Sequence, residues 1–156
     1  MSIVKNKLTY RFLLMLALAA LLAAAALPVL ANGGRPLGAM LNGPNEVPVS
    51  GDPDGSGWAH VTLNQGQNEV CWHIQVEDIT LPARAAHIHS GAAGVPGGVV
   101  VGLSAPKEDG TAMGCTTAEA DLIKDIRQNP GSYYVNVHNT DYPGGALRGQ
   151  LFKLDD

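Results

Sequence analysis

The chain has 156 residues, 46% of them hydrophobic and only 15% charged, and carries a net charge of −4. Beyond residue 31 the balance is seven Lys/Arg against fourteen Asp/Glu, a net of −7. That acidity argues against nucleic acid or an anionic membrane surface as a partner, and the length suits one domain with one core.

In chain order, the first element is a targeting segment. Lys5, Lys7 and Arg11 precede an unbroken apolar run, Phe12 to Leu30, and Val29-Leu30-Ala31 offers small residues for cleavage. The pattern predicts a signal peptide over residues 1–31 and an exported domain over 32–156. The apolar run also approaches a bilayer span, so an uncleaved anchor is the alternative. Export places the product outside the cytoplasm, secreted or periplasmic, with no membrane contact once the signal is removed.

After residue 31, Gly and Pro recur every ten or so residues, the rhythm of short strands joined by turns. The alternation predicts strands at Leu37–Leu41, Gly57–Leu63, Glu69–Val76, Arg84–His89, Val99–Leu103, Tyr133–His138 and Ala146–Phe152. Turn residues separate several of them, as at Asp52-Pro53-Asp54-Gly55 and Tyr142-Pro143-Gly144-Gly145. One helix is expected after Thr116-Thr117-Ala118-Glu119, which has capping-box spacing. Ala118, Leu122 and Ile126 would form its apolar face, and Asn129-Pro130-Gly131 its stop. The expected fold is all-β, a Greek-key sandwich or barrel with one short helix.

Two strands carry the chemistry. His87 and His89 lie two residues apart, so they share one strand face while Ala86 and Ile88 share the other. In Tyr133–Asn139, Tyr134, Asn136 and His138 share a face opposite Val135 and Val137. If the two strands are neighbours, His87, His89 and His138 form a three-imidazole set suited to copper or zinc. His60 and His73 sit on other strands and are each a possible fourth ligand or an ordinary surface residue. The bland alternative is a polar strand face whose imidazoles only hydrogen-bond.

Asp141 is expected to cap its turn, and Arg148 to pair with a carboxylate or, beside an open metal position, to draw anions. Catalytic patterns are thin. Ser90 and Ser104 lack a nucleophile elbow, and no two carboxylates are placed together by spacing. Cys71 and Cys115, the only cysteines, read as a disulfide in an exported chain; two thiolate ligands are the alternative.

Several segments together resemble the CHRD (chordin-type) domain family. These are Leu41-Asn42-Gly43-Pro44-Asn45-Glu46-Val47-Pro48, His87-Ile88-His89-Ser90-Gly91, Gly94-Val95-Pro96-Gly97-Gly98, Tyr134-Val135-Asn136-Val137-His138-Asn139 and Pro143-Gly144-Gly145-Ala146-Leu147-Arg148-Gly149-Gln150-Leu151. The resemblance covers about residues 37 to 153 and implies an extracellular, immunoglobulin-like β-barrel or sandwich. It implies little about activity. His87, His89 and His138 are also similar to part of the copper set of copper–zinc superoxide dismutases. No histidine lies between Ser90 and Val137, so the bridging and zinc-binding part of that site is missing.

Three functions follow as expectations. The first is an exported, non-enzymatic binding domain, with an unknown extracellular partner, that holds a copper or zinc ion. The second is a copper enzyme of superoxide-dismutase type. The third is a structural or adhesive module without metal.

Overall fold

The computed structural model describes residues 35–154; the signal-peptide reading of residues 1–31 lies outside them. Among the described residues no helix is long and apolar enough to cross a membrane.

Nine strands form one antiparallel sheet: β1 Arg35–Asn42, β2 Ser56–Asn64, β3 Glu69–Glu77, β4 Ala85–Ser90, β5 Val99–Leu103, β6 Thr111–Thr117, β7 Tyr133–His138, β8 Leu147–Gln150 and β9 Phe152–Lys153. The strand order is β5-β4-β7-β8-β1-β2-β3-β6, with β9 paired to β1. The two ends of this path come together, so the sheet is a nearly closed barrel. Ser104, just after β5, accepts a hydrogen bond from Trp72 Nε1 of β3 at 2.9 Å and donates to the Met113 carbonyl of β6.

Period-two alternation builds the core. Ala59, Val61 and Leu63 of β2 are buried inward, as are Val70, Trp72, Ile74 and Val76 of β3. Leu37, Ala39, Ile88, Val135, Val137 and Leu147 meet them from the other strands. Each such aliphatic side chain contributes roughly 1.5–3 kcal/mol on burial. The helix α1, Ala120–Gln128, closes one side with Ile123 and Ile126, both fully buried, and Leu122 half-buried beside them.

Three expectations need correction. The strand β6 was not anticipated. The segment Ala146–Phe152 is two strands, because the ladder breaks at Leu151. The capping box is not formed: Thr116 and Thr117 pair with Val70 and Glu69 in the sheet, and Glu119 caps α1 without a side-chain bond.

Strand β7 departs from simple alternation. Tyr133 through Val137 are all buried, as are Leu147, Arg148 and Gly149 of β8. Their outer face is therefore covered, by the loops at 43–55, 91–98 and 139–146, and the polar residues on that face sit beneath a lid of backbone.

Candidate metal centre

The neighbouring strands β4 and β7 create the centre. Their register sets Ala85 opposite His138, His87 opposite Asn136 and His89 opposite Tyr134. Directly opposed residues share a face, so all three histidines stand on the outer side of the barrel wall. Ala86 and Ile88, pointing the other way, are anchored in the core. The β4–β5 register shifts between Ile88 and His89, an irregularity of the kind that re-aims side chains beside sites.

The three rings converge. One donor atom from each of His87, His89 and His138 lies within 4.8 Å of the others. His87 Nδ1 is 3.3 Å from His138 Nε2. Two nitrogens bound at 2.0–2.1 Å to a tetrahedral ion stand roughly 3.3 Å apart, so this pair already has ligand spacing.

Backbone carbonyls fix the tautomers. The Gly97 carbonyl lies 2.9 Å from His89 Nδ1, and the Pro143 carbonyl 3.1 Å from His138 Nδ1. A carbonyl only accepts, so both Nδ1 atoms carry the proton and both Nε2 atoms present lone pairs. His138 Nε2 accepts from His87. His89 Nε2 is buried and has no hydrogen-bond partner, on a side chain only 9% exposed. A buried lone pair without a donor costs free energy unless a ligand supplies the missing interaction.

The supporting layer is equally specific. Tyr134 stacks on His89, with ring centroids 4.9 Å apart and planes 12° from parallel. The Arg148 guanidinium lies 3.5 Å from the centroid of the Tyr134 ring. Arg148 Nη2 donates to the Ala92 and Val95 carbonyls at 2.8 and 3.0 Å, tying the 91–98 loop down. Gly97 within that loop has no room for a side chain: a Cβ would fall 1.4 Å from the Ser90 carbonyl oxygen. Its closeness is what brings its own carbonyl to His89.

Burial, and the neighbouring histidines second, hold His87 and His138 below the ordinary imidazole pKa of 6.5. Both rings therefore stay neutral and able to ligate at pH values where a solvated histidine begins to charge.

Next to the histidines lies a buried carboxyl. Glu46 is 6% exposed and accepts from Asn136 Nδ2, which also donates to the Leu147 carbonyl at 3.0 Å. Burial pushes Glu46 up from 4.5 to about 7, against the opposing pull of Arg148. The folded protein thus keeps a proton that the unfolded chain releases above 4.5, so stability falls as pH rises from 4.5 to about 7. The full shift is worth about 3 kcal/mol. His87 and His138 have the opposite sign, since their share of stability is lost as pH falls below 6.5. Glu46→Gln separates the two: in urea unfolding, wild type should lose about 3 kcal/mol relative to the variant between pH 4.5 and 8. A difference independent of pH would overturn the neutral carboxyl.

Other expected residues lie elsewhere. His60 and His73 face one another across β2 and β3, with β8 and β1 between them and β7, and do not join the three. Asn139, not Asp141, caps the turn, accepting from the Tyr142 amide at 2.7 Å; Asp141 accepts from Thr80. Arg148 serves two carbonyls and an aromatic ring, and its charge also acts on the Glu46 carboxyl. Cys71 and Cys115 are joined as a disulfide, so the nearby Glu69 completes no thiolate site. Tyr134 and Asn136 were visible as sharing the face of His138; the roles of Gly97 and Pro143 carried no sequence signal.

Neither curated proteins nor solved structures give a match to the chain. The family model for the CHRD domain matches residues 37–151, nearly the whole described fold. The protein belongs to the CHRD domain family.

Proposed function

We propose that this CHRD domain is an extracytoplasmic binding module that holds one divalent copper or zinc ion through His87, His89 and His138. The observation that carries the reading is the buried, unpartnered Nε2 of His89, aimed at two further imidazoles. Family membership and the disulfide fit an oxidising, extracellular setting. Three neutral imidazoles suit both ions, and copper(II) stands above zinc in the general affinity order. For His87 Nδ1 to ligate, its proton must leave or move to Nε2, so ion uptake is linked to a tautomer change on this ring alone.

The test is titration of the purified protein with Zn(II) and Cu(II). One ion per chain is expected, and His89→Ala should weaken binding by more than about a hundredfold. Copper(II) paramagnetic resonance should show nitrogen couplings that diminish in His138→Ala. Affinity should be flat above neutral pH and fall as pH drops through about 6, where protons compete for the rings. Unchanged affinity in both alanine variants, or no uptake at all, would sink the proposal. Superoxide turnover by the copper-loaded protein then divides an enzyme from a binder.

A further inference from the structure

The outer face of the β1–β2–β3–β6 part of the sheet is largely polar, as an antiparallel sheet usually is toward water, but it carries a patch of exposed apolar side chains. Met40 is 65% exposed, Met113 69%, Phe152 43% and Trp58 37%. Among them stand the two histidines that the first centre does not use. The register sets Met40 opposite Trp58, His60 opposite His73, and His73 opposite Met113. Directly opposed side chains have Cβ atoms about 4.5–5.5 Å apart, and diagonal neighbours remain within reach of long side chains. The Trp58 and His73 rings meet edge to face, 4.8 Å between centroids. Met40, Trp58, His60, His73 and Phe152 line one open groove of about 420 Å³.

We infer that this groove is a second metal site, selective for monovalent copper, with His60 and His73 as imidazole ligands, Met40 as thioether ligand and the Trp58 indole as its wall. Thioether sulfur is a soft donor that selects copper(I) over zinc and the hard cations, and imidazole accepts copper in either state. No carboxylate or cysteine lines the groove, whose remaining walls are largely apolar. A single charge costs less to bring against apolar walls, and an aromatic face attracts it further. Met113, flanking His73 from β6, gives a second thioether beside the same ring. The inference is independent of the His87/His89/His138 reading, since it shares no residue with it.

The experiment uses protein carrying His87→Ala and His138→Ala, so the first centre is disabled. It is titrated anaerobically with copper(I), held reduced by ascorbate, in competition with a chromophoric copper(I) chelator. One copper(I) per chain is expected, with quenching of indole emission that is lost in Trp58→Phe. His73→Ala should weaken uptake by about a hundredfold or more, and Met40→Leu by about tenfold while leaving any Zn(II) affinity unchanged. Met40 is exposed and Leu is its near-isostere, so this variant keeps the fold intact. Absence of copper(I) uptake, or equal affinity in Met40→Leu and His73→Ala, overturns the inference.

Discussion

Replacing Cys71 and Cys115 together by Ser should lower the unfolding free energy by about 4 kcal/mol. The bridge spans a sequence separation of 44, and closing a loop of that size removes roughly this much conformational freedom from the unfolded chain. Its position adds a second reason. Cys115 lies on β6, the last strand of the sheet path, which pairs along one edge with β3 through Cys71 opposite Cys115. The bridge therefore staples an end strand whose own inward contacts are weak. Urea unfolding with and without reductant should reproduce the value, and the midpoint of thermal unfolding should drop by roughly 15 °C. A change below about 1 kcal/mol would mean the unfolded ensemble is already restricted between these strands. The bridge shares no residue or strand with the histidine cluster, so ion binding at His87, His89 and His138 should survive in the double Ser variant.

The same strand explains where the sequence could be read and where it could not. In β3, and in β2 from Ala59 onward, apolar residues alternate with more polar ones, and the face assignment is legible from either strand alone, with Trp58 the exception on the outer face. In β6, Thr111-Ala112-Met113-Gly114-Cys115, the inward positions hold Ala and Gly while Met points out. Gly114 is small because Trp72 fills the space, with a Cβ there only 2.8 Å from the Trp72 ring. Large-out, small-in is the reverse of an amphipathic signal, so only tertiary packing defines this strand. The histidine set was legible for the opposite reason: His87, His89 and His138 obey period two on strands with strong inward anchors. The strand order that separates His60 and His73 from them depends on long-range pairing, which no local pattern encodes. The carbonyls of Gly97 and Pro143 are backbone groups, and any residue type supplies one. Only the path of the loops makes them specific.

Those loops hang on Arg148, and Arg148→Met should show it in two measurements at once. Methionine fills much of the apolar volume, and removing a buried charge is often neutral when partners leave with it. Here the partners stay. The Val95 carbonyl loses its bond, Tyr134 loses the cation over its ring, and Glu46 loses the positive charge that opposes its burial. The variant should be destabilised by about 3 kcal/mol, and Glu46 should titrate even higher, extending to higher pH the range over which stability falls as its proton is lost. Arg148 touches none of the three histidines, yet it pins the loop whose Gly97 carbonyl keeps the proton on His89 Nδ1. With that carbonyl released, His89 is free to turn its lone pair away, and affinity for Zn(II) should fall by about ten- to a hundredfold without loss of a ligand. Lysine at the same position retains the charge but not the planar stack, so Arg148→Lys should recover part of the stability and little of the affinity. If Arg148→Met unfolds more easily but binds Zn(II) as wild type does, the loop does not hold His89 and its tautomer is set elsewhere.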